Sequence, residues 1–302
     1  MIGIIALVSC GGDDGGATET VAGAAETPVG VSDTPVGSAE TLVGAGDIAD
    51  CASPGDEATA ALLDTIPGTV FTIGDNVYED GTAAEFQNCY EPSWGRHKAR
   101  TRPAVGNHDY HTPGASDYFE YFGAAAGDAD EGYYSYDLGD WQIIVLNSKC
   151  SEVPCDAGSP QEEWLRADLD ANSTACTAAF WHKPRFSSGS QHGGNTSFSA
   201  FWEALYDYDV ELVINAHEHN YERFAPQAAD GSVDPDRGIR QFVVGTGGTS
   251  LTAFGQPLPN SQIRDDNTFG VLKLTLSPAF YEWEFVPVPG GRFTDTGRES
   301  CH

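Results

Sequence analysis

Five short apolar runs in this chain each stop at a residue suited to binding a metal ion, and this repetition constrains the fold more than any other feature. Leu42-Val43-Gly44-Ala45-Gly46 stops at Asp47, and Val70-Phe71-Thr72-Ile73-Gly74 stops at Asp75, with Tyr78 three residues further on. Pro103-Ala104-Val105-Gly106 leads into Asn107-His108-Asp109, Ala178-Ala179-Phe180-Trp181 into His182, and the run from Val210 to Ala216 into His217-Glu218-His219. Runs this short, rich in β-branched and aromatic residues, read as buried strands. The intervening segments Glu57–Ile66, Pro160–Ala171 and Ser197–Tyr208 are helix-like, so strands alternate with helices as in an α/β fold. Ligands of such folds gather outside the carboxyl ends of the strands. Five distant segments are therefore expected to converge on one rim.

The side chains at that rim have a definite chemistry. Carboxylates and an amide oxygen suit hard cations, imidazoles suit zinc, iron or manganese, and a phenolate is a good donor to ferric iron. Asp47, Asp75, Tyr78, Asn107, His182, His217 and His219 are more donors than one ion uses. Two ions roughly 3.5–4 Å apart, bridged by a carboxylate, would take all of them. Glycine ahead of Asp47, Asp75 and Asn107 is read as letting the backbone turn where each strand ends.

Charge narrows the partners. The chain has 45 Asp and Glu against 15 Lys and Arg, a formal charge of -30, which argues against nucleic acid or anionic membrane surfaces as partners. The N-terminus ends an apolar stretch in Leu7-Val8-Ser9-Cys10, similar to the lipobox of bacterial lipoproteins, although no Lys or Arg precedes it. Residues 1–10 are read as an export leader, with Cys10 as a candidate lipidated tether to a membrane. Residues 11–40 are Gly-, Thr- and acid-rich with a seven-residue echo, and read as a flexible linker to a domain over 41–302. The expected location is outside the cytoplasm, on the cell surface or secreted. Apart from Cys10, six cysteines remain, an even set without metal-type spacing that suits disulfides. Cys150 with Cys155, and Cys51 with Cys89, are possible pairs, and spacing alone leaves the connectivity open.

Through GDIA at 46–49, GDNVY at 74–78, GNHD at 106–109, WH at 181–182 and AHEH at 216–219, the chain resembles the calcineurin-like metallophosphoesterase superfamily. Within it, the chain looks most like the purple acid phosphatases, because Ala49 stands where many other members have histidine and Tyr78 is available instead. It departs from that branch in having Ala49 and Ala216 where glycines are usual, neither of them a ligand.

The resemblance implies a four-layer α/β/β/α sandwich with two mixed sheets, of the shorter, single-domain kind. It implies Fe(III) on Asp47, Asp75, Tyr78 and His219, and Fe(II), Zn or Mn on Asp75, Asn107, His182 and His217, with Asp75 as the bridge. The expected reaction is hydrolysis of small phosphate monoesters by in-line attack of a hydroxide held by the two ions. His108 would donate the proton to the leaving group, Asp109 would orient His108, and His192 and Asn107 would contact substrate. Loops 79–98, 110–132 and 184–196 would set specificity. A phosphodiesterase or nucleotidase is the alternative on the same fold, and a non-catalytic surface binding protein is the alternative from another class. No protein partner is inferred. The basic stretch from Arg96 to Arg102 is read as a solvated helix end paired with nearby acids.

Overall fold

A computed structural model describes residues 37–172, 174 and 176–302. The expected leader, Cys10 and the expected linker as far as residue 36 lie outside the described residues. The first half of the fold runs β1 (Glu40–Ala45), the two-residue β2 (Ala49–Asp50), α1 (Gly55–Leu63), β3 (Thr69–Ile73), the two-residue β4 (Val77–Tyr78), the one-turn α2 (Ala83–Glu85) and β5 (Thr101–Ala104). After α3 (Ser116–Phe122) come the hairpin β6 (Tyr134–Leu138) and β7 (Trp141–Val145), then α4 (Pro160–Ala171), β8 (Cys176–Phe180), α5 (Ser199–Asp207) and β9 (Leu212–Asn215). The chain continues through β10 (Tyr221–Phe224), β11 (Arg240–Val244), β12 (Ser261–Asp265), β13 (Gly270–Ser277), β14 (Phe280–Pro287) and β15 (Thr296–Ser300).

Two mixed sheets result. One has the order β15-β14-β13-β1-β3-β5, and the other the order β12-β10-β11-β9-β8-β7-β6. Strands β1, β3 and β5 are parallel to one another, as are β7, β8, β9 and β11, so the carboxyl ends within each set point the same way. Pro103 lies in β5 at the edge of its sheet, where a missing N–H costs no ladder bond.

Period-two alternation sorts the second sheet's side chains between two cores. Ile143, Val145, Ala178, Phe180, Leu212 and Ile214 pack toward the first sheet, in one cluster with Val43, Phe71 and Leu272. Ile144, Ala179 and Val213 face the other way and pack with Leu165 of α4 and Phe201, Trp202 and Leu205 of α5. Leu63 and Ala60 of α1 join the first cluster, giving the four layers in the expected order. Helix α4 spans the expected residues because Ser159 caps it, its hydroxyl accepting from the Glu162 N–H at 3.3 Å, and Pro160 supplies a preset first turn. Helix α1 begins at Gly55, two residues before the expected start.

Three disulfides close the chain: Cys51–Cys89, Cys150–Cys155 and Cys176–Cys301. The basic stretch is neutralised locally, as expected. Arg96 meets Glu57 at 2.8 Å and Asp64 at 3.0 Å, and Arg100 donates to the carbonyls of Leu63 and Gly68. Among the described residues, no helix is long and apolar enough to cross a membrane.

Candidate metal centre

The strand ends deliver their side chains by turning sharply, and three of the candidate ligands themselves make the turn. Asp47, Asp75 and His217 have left-handed backbones, with φ of 58°, 48° and 70°. Such conformations cost of order 1–3 kcal/mol for residues with a Cβ and persist where surrounding bonds hold them. Here the Asp47 N–H donates to Gly74 O at 3.1 Å, Ile48 N–H to Asp75 O at 3.0 Å, and Ala216 N–H to His182 O at 2.9 Å. Of the three preceding glycines, only Gly74 is left-handed. Gly46 and Gly106 are needed for close approach instead: a Cβ on Gly106 would lie 2.1 Å from the Asp75 nitrogen, and one on Gly46 2.5 Å from the Ala216 Cβ.

The donors gather in two groups that share one oxygen. The Tyr78 hydroxyl is 2.7 Å from Asp47 Oδ1, 3.2 Å from Asp75 Oδ2 and 3.2 Å from His219 Nε2. His182 Nε2 is 3.1 Å from the same Asp75 Oδ2 and 3.1 Å from His217 Nδ1. The remaining polar atoms of these residues are held from behind. Asp47 Oδ2 accepts from the His217 N–H at 2.9 Å, and Asp75 Oδ1 accepts from the His108 N–H at 2.8 Å. His182 Nδ1 lies 2.7 Å from Ile73 O, and His219 Nδ1 lies 2.9 Å from the Ser250 hydroxyl. This is the outer support that ligating groups need to keep one donor atom aimed inward. Asn107 reaches the same rim after β5, and its Oδ1 is buried with no hydrogen-bond partner. A buried carbonyl left unpaired costs about 1–3 kcal/mol. That orphan oxygen, on the residue between Gly106 and His108, whose backbones both approach Asp75, fits a candidate cation ligand.

Electrostatics agree with the packing. Burial, then the Asp47 and Asp75 carboxylates, push the Tyr78 hydroxyl well above its ordinary value, so phenolate here requires a compensating positive charge. Burial opposes charge on Asp75 and on His182. Their contact outweighs it, keeping Asp75 ionised and raising His182.

The other expected site residues divide. His108 is at the rim, its Nδ1 2.6 Å from the Glu79 carbonyl and its Nε2 4.0 Å from Asp75 Oδ2. Asp109, expected to orient it, faces elsewhere. Its fully buried carboxylate accepts from the Gly106 N–H at 2.8 Å and from the Asn76 backbone and side-chain N–H groups at 3.2 and 3.0 Å. Burial, followed by the Asp75 charge, lifts it to about 7. The His108 ring is oriented by Glu79 O instead, because Asp109 turns into the short 3-10 segment Asp109–His111 and under the strand end. His192 reaches the site on a loop, its ring stacked on His217 with centroids 4.1 Å apart.

That loop depends on two residues without an assigned role in the sequence reading. Glu218, fully buried and lying between His217 and His219 in sequence, accepts from the His192 and Gly193 N–H groups. Glu222, also buried, accepts from the Ser188 N–H at 2.8 Å. The available signal was two acids four residues apart in a strand-end motif, alongside a Gly- and Ser-rich loop with many donors to satisfy. A second acid-and-sulfur grouping, Cys176, Glu211 and Cys301, is not a metal site, since its two sulfurs are joined in a disulfide.

Purple acid phosphatase 15 of Arabidopsis thaliana is 28% identical over 223 residues, covering 62% of this chain and 41% of the relative. Purple acid phosphatase 21 of the same plant is 33% identical over 121 residues, covering 38% of this chain and 26% of the relative. The chain thus spans less than half the length of these relatives. Among solved structures, the purple acid phosphatase PPD1 of yellow lupin (Lupinus luteus) superposes with a TM-score of 0.71 at 19% identity, covering 87% of this chain and 54% of the other. GAP50, described as the anchor in the inner membrane complex of Plasmodium, superposes with a TM-score of 0.69 at 15% identity, covering 88% of this chain and 90% of the other. These superpositions show the shared fold. With the family model of the calcineurin-like phosphoesterases matching residues 40–221, the chain belongs to that family.

Proposed function

We propose that this chain hydrolyses phosphate monoesters at a two-metal site held by Asp47, Asp75, Tyr78, Asn107, His182, His217 and His219. The observation that carries the reading is the pair of donor groups meeting at Asp75 Oδ2, with the buried, unpartnered Asn107 Oδ1 on the residue before His108, whose N–H binds Asp75 Oδ1. Asp47, Asp75, Tyr78 and His219 would hold ferric iron, and Asp75, Asn107, His182 and His217 a divalent iron, zinc or manganese. Bound there, the ions supply an activated water and positive charge against the phosphoryl oxygens.

The chain's own residues do the rest. Asp75 and Asp47 are fixed by backbone N–H groups, so their inward oxygens do not reorganise during the reaction. With Nδ1 facing the Glu79 carbonyl, His108 keeps its other ring nitrogen free to carry a proton toward a departing alkoxide. His192, stacked on His217, supports the opposite side of the substrate. Residues 41–302 are the catalytic unit in this reading, and the three disulfides favour an oxidising compartment outside the cytoplasm.

The test is a visible absorption spectrum of iron-loaded protein, with steady-state rates on a phosphate monoester and a diester. A broad visible band lost in Tyr78→Phe, together with monoester preference, is the expected result. A band that survives Tyr78→Phe would remove the phenolate ligand, and a higher kcat/KM for the diester would remove the monoesterase.

A further inference from the structure

Cys176 opens β8 and Glu211 immediately precedes β9, so both sit at the amino ends of strands whose carboxyl ends lead to His182 and His217. Cys301 follows β15 of the other sheet. These three residues meet: one sulfur from each cysteine and one Glu211 carboxylate oxygen all lie within 4.8 Å of one another. Cys176 and Glu211 are buried and Cys301 is half-buried. The Glu211 carboxylate is fixed beside Cys176 by the N–H of the next residue, Thr177. Among the described residues, no Lys, Arg or His nitrogen lies within 4.0 Å of it. Two clefts, of about 360 and 300 Å³, both border Glu211 and His302, and the second also borders Cys301. Asp170, Asp209 and Glu211 line the first cleft, and Glu211, Asp236 and Glu299 the second. Arg237 pairs with Asp209 and Arg240 with Glu299, which leaves an excess of negative charge along both, a field that draws cations.

In the oxidised chain the two sulfurs are bonded to each other and hold no ion. Reduction by a dithiol breaks that S–S bond. The dithiol gives up two electrons and two protons and becomes a disulfide, and the two cysteines become thiols. Two sulfurs beside a buried carboxylate are a donor set that zinc takes. Zn–S bonds of about 2.3 Å in a tetrahedral site place two sulfurs about 3.8 Å apart. With the Cα atoms 5.7 Å apart, rotation of the two side chains opens that distance without moving the strands. We infer that Cys176, Cys301 and Glu211 form a zinc site in the reduced chain, in which a metal tie between the two sheets takes the place of the covalent one. The fourth position faces the clefts. Zinc binding releases both thiol protons to solvent, and oxidation by a disulfide reverses it: the sulfurs lose two electrons, the S–S bond re-forms and the ion leaves. A newly made chain carries both thiols, so the site exists before an oxidising compartment closes the bridge.

The test titrates Co²⁺, a coloured stand-in for zinc, into full-length chain reduced with a phosphine. Thiolate-to-cobalt charge transfer gives a near-ultraviolet band that the centre at the strand carboxyl ends, which has no cysteine among its donors, does not produce. The band is expected in reduced wild type, absent before reduction and displaced by zinc. It should fall in Cys176→Ser/Cys301→Ser and persist in Cys51→Ser/Cys89→Ser and in Cys150→Ser/Cys155→Ser. Glu211→Gln should weaken cobalt binding about ten-fold or more, as loss of a direct donor. No band in the reduced chain, a band unaffected by Cys176→Ser/Cys301→Ser, or unchanged affinity in Glu211→Gln would overturn the site. Calorimetry covers the case in which reduction loosens the fold. Zinc should raise the Tm of the reduced wild type, or restore its transition, by more than it does for Cys176→Ser/Cys301→Ser, and an equal effect on the two proteins would also overturn the site.

Discussion

His108 keeps 23% of its side chain exposed while its Nδ1 is pinned by the Glu79 carbonyl, an arrangement suited to meeting a substrate rather than to packing. Replacing it with alanine should lower kcat for an alkyl phosphate on the order of 10²- to 10⁴-fold, the usual contribution of a positioned acid. The loss for p-nitrophenyl phosphate should be much smaller, because that leaving group departs with little help from a proton. Equal losses on the two substrates in steady-state assays would exclude the proton-donor role. At this scale the candidate metal donors stood out, since each lies at the end of an apolar run that reads as a buried strand or within a few residues of it. The orientation of Asp109 did not, because adjacency in sequence does not say which way a side chain turns. Only the fold shows its carboxylate under Asn76 and Gly106.

Loops and strand ends carry the next level of organisation. The segment bearing His192 is anchored from below by Glu218, so Glu218→Ala should expose the His192 and Gly193 amides to solvent and leave the cavity of a lost carboxylate. Hydrogen exchange over residues 187–195 should accelerate, with a stability loss of about 1–3 kcal/mol in denaturant titration. Unaltered exchange in that loop would mean that Glu222 suffices to hold it. Glu211, at the mouth of β9, makes a pH-dependent contribution. Burial, with Asp209 adding to it, lifts its carboxyl to about 7, above the ordinary 4.5. A group whose pKa is raised on folding stabilises fully below its unfolded value, and that contribution fades as pH rises through about 7. Stability should therefore decline between about pH 4.5 and 7 by an amount on the order of 3 kcal/mol at most. Glu211→Gln should flatten this limb in urea titrations at several pH values, and an unchanged slope would locate the effect elsewhere. Helices were legible where caps were strong, as at Ser159-Pro160, and shifted where they were not, as at α1, where the preceding Pro54 offers no side-chain cap.

Across the whole molecule, the Cys176–Cys301 bridge ties β8 of one sheet to the chain beyond β15 of the other, closing a separation of 125 residues. Replacing both cysteines with serine should lower stability by roughly 2–5 kcal/mol, seen as a reduced Tm in calorimetry. A Tm within a degree of the parent would show that the sheets' shared core already fixes that end. The sequence by itself determined the alternation of strands and helices, the five strand-end sites and the seven candidate donors, because hydrophobic period and residue chemistry are local properties. It left open the disulfide pairing and the share of Glu218 and Glu222 in holding the His192 loop. Those depend on which strands become neighbours. Two parallel sets from different sheets bring together side chains more than a hundred residues apart, such as Asp47 and His219, and only packing of the two apolar faces decides that they meet.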